Sequence, residues 1–588
     1  MNILIPDSWL REYLDTKATP SQLKEYLSLC GPSVERVNSV KDDTIYEIEI
    51  TSNRIDMVGV IGIAREAAAI LPRFGISAKL KPNFNNVMLN SFPYPKEIPN
   101  QVRDDKTKEL LLTISDINRL CYRIIAVVMD NVKIGRCPDY IRDRLEKSGV
   151  RSLNNFIDIT NYVMLELGHP CHVFDYDLIK TGKLIIRRAK DGESLITLDD
   201  KKIELFPEDV IIDDGTGRII DLPGIIGTKN SVVTNATKRI IFFIESNKPI
   251  VIRKTSMRTG IRSLAATINE KHPDTDLAKT TLLRAIKLAQ QIGAKQASKI
   301  IDVYPNPLKP RQISISPEFI NERLGIVLKT EEIINILKSL SFRVGPLTGS
   351  DLVQLTITPP SFRQIDVTIP EDIVEEVARI YGYHKFPTKI MAGEIPITAK
   401  PKDLVIEEKI KTTLKYWGFT ECYHYSFTSS KLLDKSGLDK KAHLEIANPL
   451  TEDTQYMRIS LIPSILETIE KNQSYKNNLK LFELAKVYIP QRNNLPKEDS
   501  HLVIAGQQDF SHLKGIVGGI MREIGIHGVS GVVTSESPYN FFHPKQTLNF
   551  SKEGKTLAVF GKLHPKFRQS FSISKNVFIA QLYLEQDY

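Results

Sequence analysis

Asn154-Asn155-Phe156-Ile157-Asp158-Ile159-Thr160-Asn161-Tyr162-Val163-Met164-Leu165-Glu166-Leu167-Gly168-His169-Pro170-Cys171-His172-Val173-Phe174-Asp175 is the most informative stretch of the chain. Asn154, Asn155, Asp158, Thr160, Asn161 and His172 concentrate side chains able to bind a polar ligand, and the same residue types serve equally well in turns and caps. Residue type alone leaves both readings open. His169, Cys171 and His172 put two imidazoles and a thiol close together, but Pro170 blocks a helical presentation and no second ligand pair follows, so the spacing argues against zinc.

Around this stretch, residues 113–303 carry short strand-like runs: Ile124-Ile-Ala-Val-Val-Met129, Leu184-Ile-Ile-Arg-Arg188, Val210-Ile-Ile-Asp213 and Ile240-Ile-Phe-Phe-Ile244. Long helices are few until 280–291, so this segment reads as mostly β, closed by a helix. Before it, Ser8-Trp9-Leu10-Arg-Glu-Tyr13-Leu14 has helical spacing and Tyr46-Glu-Ile48-Glu-Ile50 alternates as a half-buried strand, giving a small α+β segment. After it, Thr330 is placed to cap a helix with Ile333, Ile334, Leu337 and Leu340 on its apolar face, and Leu355-Thr-Ile-Thr358 is a strand. The last segment pairs an amphipathic helix over 405–417, ended by Gly418, with strands at His424-Tyr-Ser-Phe427 and Leu479-Lys-Leu-Phe-Glu-Leu484.

Breaks rich in Pro, Asn and charge lie at 81–106, 304–310 and 386–401, with a shorter hairpin or insertion at 490–496. They divide the chain into 1–86, 87–304, 305–388 and 389–588, in line with about 150 residues per domain for a chain of 588. The fold class is α+β multidomain. Hydrophobic residues at 41% and charged residues at 25% exclude collagen-like, coiled-coil and largely disordered classes. A net charge of +9 permits an anionic partner without arguing for one. Five scattered cysteines form no Cys-x-x-Cys pair, and no apolar run reaches the roughly 18 residues of a membrane span, so a cytoplasmic protein away from membranes is expected. The glycines around Gly59-Val-Ile-Gly62 and Gly518-Gly519 lack the partners of a phosphate loop.

Asp366, Glu371, Asp372, Glu375 and Glu376 cluster around Pro370, which suits a first helical position and would put Asp372, Glu375 and Glu376 on one helix face. Oxygen-rich sets of this kind suit Mg²⁺. The alternative is that Glu371 and Asp372 complement the helix dipole while Glu375 pairs with Arg379.

Taken in order along nearly the whole chain, several stretches resemble the β subunit of bacterial phenylalanyl-tRNA synthetases. They are Ser8-Trp-Leu-Arg-Glu-Tyr13, Glu49-Ile-Thr-Ser-Asn-Arg54-Ile-Asp56, Gly62-Ile-Ala-Arg65-Glu66, the 154–175 stretch, Ile252-Arg-Lys-Thr255, Pro359-Pro-Ser-Phe-Arg363, Glu371-Asp-Ile-Val-Glu-Glu-Val-Ala-Arg379-Ile-Tyr-Gly382-Tyr383, Asn448-Pro449-Leu450, Arg458, Phe542-His-Pro544 and Gly561-Lys-Leu-His-Pro565.

The resemblance implies an α₂β₂ heterotetramer in which a separate α subunit uses ATP to charge the phenylalanine tRNA. For this chain it implies an N-terminal α+β domain, a mostly-β editing domain that hydrolyses mischarged Tyr-tRNA(Phe), a small α+β module and a degenerate class II synthetase-like antiparallel sheet domain that contacts α. The editing pocket is expected at Thr160, Asn161, His172, Gly224, Gly227, Ser263 and Ala265, with a glutamate on 240–246. Phe243 stands at the family's glutamate position and Glu245 two residues on, so either Glu245 substitutes through a local shift or the acceptor is lost. The stretch Ser263-Leu-Ala-Ala-Thr-Ile268 also departs from the family's polar pattern. A scaffold subunit without editing is the alternative. Asp366, Asp372, Glu375 and Glu376 match the family's Mg²⁺ ligands. Asn38 to Thr44 stands where an oligonucleotide-binding domain is usual and the usual C-terminal tRNA-binding domain is not found, which implies weaker or more salt-sensitive tRNA binding. Leu481-Phe482-Glu483-Leu484 lacks the arginine that would neutralise ATP phosphates.

Overall fold

The computed structural model describes residues 1–82, 109–345, 354–390, 392–394, 398–475, 478–507, 509–533 and 540–584. Most of the break expected at 81–106, including the boundary at 86, lies outside them. The chain forms mixed α/β structure with several sheets, divided into two compact units, Met1–Ile390 and Met391–Tyr588.

The stretch that opened the sequence reading is a helix, Asn155–Leu167, which strand periodicity elsewhere in the segment had hidden. Its start is chemical: the Asn154 side chain accepts from the backbone N–H of Phe156 (3.2 Å) and Ile157 (3.1 Å), a cap worth about 1 kcal/mol. Its end is steric, because Gly168 adopts φ +88°, a left-handed conformation that costs glycine little. Asn155 donates to the Lys133 carbonyl, and Asp158 accepts from Ser152 Oγ and Leu153 N–H. These polar residues therefore hold local structure.

The first unit holds two larger sheets that share a core around Phe174, Ile186, Ile212 and Phe243, while that helix packs with the second of them around Phe156, Val127 and Phe242. One has the order Ile226–Gly227, Ile219–Leu222, Val210–Asp213, Lys183–Arg188, Thr113–Ser115. The other has the order Lys295–Gln296, Cys121–Asp130, Ile240–Asn247, His172–Asp175, with Ile301–Val303 also on Cys121–Asp130. The strand Ile240–Asn247 is buried along its whole length, hence its unbroken apolar run. With helices Asp139–Lys147, Asn155–Leu167, Pro249–Thr259 and Leu277–Gln291, this segment is richer in helix than its sequence suggested. A smaller sheet orders Ile313–Ile315, Leu355–Thr358, Arg343–Val344; the helix Thr330–Ser339 has no side-chain cap, since Thr330 is its first residue and Lys329 stands at the cap.

Charge ties the N-terminal segment to the helix Pro370–Tyr381. Glu66 accepts from Arg54 Nη2 (2.5 Å) and Arg379 Nη1 (2.7 Å), and Arg54 also bonds Asp56 (2.9 Å). Glu376 accepts from Arg379 Nη2 (2.5 Å) and from both Nη atoms of Arg363 (2.8 and 2.9 Å). Arg65 closes the group on Asp56 at 3.2 Å. Burial opposes ionisation of Glu66 and Glu376, yet the guanidiniums hold Glu66 well below the usual carboxylate range and Glu376 at about 2. Arg379 is thus turned inward to Glu376 and Glu66, where i, i+4 spacing alone had pointed to exposed Glu375.

The second unit is built on a seven-stranded sheet ordered Thr420–Glu421, Lys480–Ile489, Lys497–Gly506, Phe578–Leu584, Lys555–Leu563, Phe542–Lys552, Ser530–Val533. All neighbours are antiparallel except the first pair. The 490–496 loop is a hairpin connection, as its Pro and Asn content suggested. Helices Lys402–Tyr416 and Phe510–Glu523 pack on one sheet face around Ile410, Leu414, Val517 and Ile520, and Ile462–Asn472 contributes Ile465 and Leu466 to a separate core. The strand expected at 424–427 reduces to Phe427–Thr428, because His424 bonds Glu483 through its backbone N–H and its ring.

Removing one partner of a buried ion pair strands the others. Glu376→Gln should therefore lower unfolding stability by about 3–5 kcal/mol, while Glu375→Gln should change it by less than about 0.5 kcal/mol. Denaturant titration followed by circular dichroism reads both, and equal effects would show that the inward pairing carries no special weight.

Candidate functional site

A cavity of about 70 Å³ opens in the first unit between the two sheets and the short helix Leu264–Asn269. Its lining includes His172, Asp221, Gly224, Gly227, Glu245 and Asn269. Glu245, Asp221 and Asn269 are buried and form the floor, while His172, Gly224, Ile226 and Ala265 are half-buried at the mouth. A cavity of roughly 150 Å³ accepts a benzene ring, so the enclosed part suits the polar end and an edge of an aromatic side chain, with the rest in the mouth.

Each wall has a structural cause. Glu245 lies on Ile240–Asn247, whose ladder with Cys121–Asp130 runs evenly to Ser246 and shifts only between Ser246 and Asn247. Glu245 therefore reaches the cavity from an even stretch of the ladder, opposite Ile124. Phe243, two residues earlier, is wholly buried and meets Phe174 edge to face, centroids 5.6 Å apart. Gly224 has φ +71°, and a Cβ there would stand 2.5 Å from Asn247 Nδ2 and 2.9 Å from Asn269 Nδ2. A Cβ at Gly227 would come within 3.1 Å of His172 Cε1. Gly224 needs glycine for its left-handed backbone and close contacts, and a side chain at Gly227 would press on the His172 ring.

Of the residues expected from sequence, His172, Gly224, Gly227, Glu245 and Ala265 meet at this cavity. Thr160, Asn161 and Ser263 are not among its lining. Thr160 Oγ1 donates to the Ile157 carbonyl inside its own helix, and Ser263 caps the helix Leu264–Asn269, accepting from Ala266 N–H and donating to the Ile225 carbonyl at 2.6 Å. Asp221 and Asn269 were missed. Asp221 does leave a trace in the sequence, a single carboxylate within the apolar run Ile219-Ile-Asp-Leu222; Asn269 leaves none.

Desolvation governs the electrostatics of the floor. Burial pushes Glu245 up to about 7, against bonds from the Asn247 side chain (3.4 Å) and the Gly224 backbone N–H. Burial, and then the neighbouring Glu245, raise Asp221 well above the usual carboxylate range. Burial lowers His172 to about 4, so its ring is neutral at physiological pH. The site offers acceptors and an uncharged imidazole, and among the described residues no ion pair reaches either carboxyl.

The acidic helix does not fit the magnesium expected there. Both oxygens of Glu376 are held by Arg363 and Arg379, and Asp366 is bonded by Arg363 at 3.0 Å. Asp372 accepts from the backbone N–H groups of Thr368 (2.6 Å) and Ile369 (3.0 Å) at the helix start, and Glu375 is exposed. Among the described residues no three His, Cys, Asp or Glu side chains are grouped to hold a metal. Guanidiniums already occupy the positions a divalent cation would need and would repel it.

In the second unit, Glu483 sits in the middle of Lys480–Ile489 and is 2% exposed. It accepts from Arg458 Nη1 (3.0 Å) and pairs with His424 Nδ1 (2.7 Å), whose Nε2 meets Thr468 Oγ1 at 2.7 Å. The charges in this strand are satisfied within the protein.

The chain matches the model of the B3/4 domain over residues 120–294, of the tRNA synthetase B5 domain over 313–383, and of the phenylalanyl tRNA synthetase beta chain CLM domain over 386–584. It is 34% identical over 554 residues to the phenylalanine–tRNA ligase beta subunit of Clostridium acetobutylicum, covering 92% of this chain and 67% of that one. With the corresponding subunit of Syntrophotalea carbinolica the identity is 32% over 577 residues, covering 95% and 69%. Among solved structures, an N-terminal fragment of the phenylalanyl-tRNA synthetase beta subunit from Pyrococcus horikoshii aligns with 65% of this chain and 99% of the fragment, at 14% identity and a TM-score of 0.36. No described helix is long and apolar enough to cross a membrane.

A carboxyl raised in the folded state holds a proton that the unfolded chain has released. Stability from Glu245 is therefore complete below its ordinary value of 4.5 and is lost as pH rises through about 7. Relative to Glu245→Gln, the wild-type chain should lose on the order of 3 kcal/mol between pH 4.5 and 8. Denaturant titrations of both proteins across that range give the difference, and a flat difference would remove Glu245 as the titrating group.

Proposed function

This chain belongs to the phenylalanine–tRNA ligase β-subunit family, and from that premise we propose that it supports charging of the phenylalanine tRNA by a separate catalytic α subunit and itself removes tyrosine wrongly attached to that tRNA. The observation that carries the second half is the cavity floor, where buried Glu245 stands ready to accept a hydroxyl hydrogen bond. Tyrosine differs from phenylalanine by one hydroxyl, and a site built to bond that hydroxyl rejects the analogue lacking it by large factors, because its buried polar groups are otherwise left unpaired. The neutral His172 at the mouth supplies a hydrogen-bonding wall there without adding charge.

In this reading 1–86 is an N-terminal domain, 87–304 the editing domain, 305–388 a small module locked to the N-terminal segment by buried ion pairs, and 389–588 a class II synthetase-like domain without charging chemistry. The last assignment rests on Glu483. Where charging would require a cation for ATP phosphates, the strand has Glu483, paired with Arg458 and hydrogen-bonded to the His424 ring. ATP is then used by α in a cytoplasmic α₂β₂ assembly. No step of this function is routed through magnesium on the acidic helix. The mouth of the cavity would face the 3′ end of the charged tRNA.

Editing is tested on the purified complex with α, by following release of tyrosine from Tyr-charged phenylalanine tRNA. Wild type should hydrolyse it, and Glu245→Ala and His172→Ala should each slow it at least tenfold while charging with phenylalanine is unchanged. Absence of hydrolysis by the wild-type complex would leave the scaffold reading, with accuracy moved to α or to another protein.

For the α contact, the surface of the second unit carries Tyr423 and Tyr425, 80% and 85% exposed. Exposed aromatic groups of this kind favour protein interfaces. The double change Tyr423→Asp with Tyr425→Asp should weaken association with α at least tenfold in a titration followed by analytical ultracentrifugation, without altering the circular dichroism of the free chain. Unchanged association would move the contact to another face.

A further inference from the structure

Two buried acceptors at the same cavity have no partner in the protein. Asp221, on Ile219–Leu222, is 3% exposed and its Oδ1 accepts nothing; Asn269, the last residue of Leu264–Asn269, is fully buried and its Oδ1 accepts nothing. Buried acceptors are nearly always bonded, so two orphans lining one cavity mark a place where a ligand's donors arrive. Asp221 pairs across the sheet with Gly227, which has no side chain to cover it, and so its carboxyl reaches the space that Glu245 enters from the other sheet.

We propose that Asp221 is a second specificity-determining residue of this pocket, forming with Glu245 a two-carboxyl clamp that shares one proton and bonds a phenolic hydroxyl from both sides. The inference rests on the editing reading given above. Two carboxyls in one dry cavity do not both ionise, because each charge raises the energy of the other. With one proton between them, the ionised member accepts the phenol O–H and the protonated member donates to the phenol oxygen. Both hydrogen-bonding capacities of a tyrosine hydroxyl are then met. A phenylalanine ring meets neither and leaves the Asp221 carboxyl buried with an oxygen unpaired.

The surrounding groups leave this proton balance to the pair. From the strand His172–Asp175 comes the neutral His172, and from the loop before it Cys171, whose thiol burial pushes up. On Cys121–Asp130 the thiol of Cys121 feels Glu245 and is also pushed up, Arg123 is paired with Asp302, and the helix Leu264–Asn269 offers only the uncharged Asn269. Lys248, just beyond the strand that carries Glu245, acts on Cys121 and reaches neither carboxyl by an ion pair.

The test is hydrolysis of Tyr-charged and Phe-charged phenylalanine tRNA by the α-containing complex, measured as kcat/KM from pH 6 to 9. Wild type should lose activity on the tyrosyl substrate at alkaline pH, as the shared proton leaves and two carboxylates face the phenol. Asp221→Asn, which keeps a neutral donor beside Glu245, should retain activity within about threefold at neutral pH and lose the alkaline fall. Asp221→Leu should reduce the preference for tyrosyl over phenylalanyl substrate at least tenfold, with thermal midpoints of both variants confirming the fold. If Asp221→Leu matches wild type in rate, preference and pH profile while Glu245→Gln is impaired, the clamp is overturned and the editing reading stands. If the wild-type complex hydrolyses no tyrosyl substrate, the editing reading fails and the clamp with it.

Discussion

The first unit depends on a buried exchange of charge among Arg54, Asp56, Arg65, Glu66, Arg363, Glu376 and Arg379, with Asp366 at its edge. Four guanidiniums face four carboxyls, so the group is neutral as a whole, and its members come from positions as far apart in sequence as 54 and 379. Desolvating that many charges is unfavourable, and only near-complete pairing makes the arrangement tolerable. Such a group specifies how the N-terminal segment and the 305–388 module meet more than it adds to stability, because any other docking would leave charges bare. It also explains why a helix with a metal-like carboxylate pattern carries none of the features of a metal site: its acids are already neutralised by arginine.

A second buried group does related work near the Glu245 cavity. Glu166, wholly buried on Asn155–Leu167, is bonded by Arg284 at 2.7 and 2.8 Å and by the Tyr13 hydroxyl. This anchors the helix in front of the strand His172–Asp175 and fixes where His172 emerges. Glu166 is thus a fully paired carboxylate, whereas Asp221 at the cavity keeps a buried oxygen without a partner. That contrast distinguishes the two acids more clearly than burial does, since both are buried.

Some of this was legible in the residues. The apolar runs at 124–129, 210–213 and 240–244 are strands, the helix 280–291 is part of Leu277–Gln291, and the 490–496 turn joins two paired strands. The helix Asn155–Leu167 was not recovered, because its polar residues read equally as turn or ligand until Asn154 is seen capping it and Gly168 ending it. Thr160 and Ser263 illustrate the same limit, since a hydroxyl spent on a nearby carbonyl or a helix cap has the same sequence signature as one that faces a substrate.

The sequence by itself determined the family, because ordered motifs along nearly the whole chain require no geometry to be recognised, and at the acceptor position it left two alternatives, replacement of Phe243 by Glu245 or loss of the acceptor. Tertiary structure alone decided which acids face one another. Asp221 and Glu245 belong to different sheets, and Glu376 and Glu66 are some three hundred residues apart. Coulomb energy depends on distance and on exclusion of water, and neither is written in one dimension.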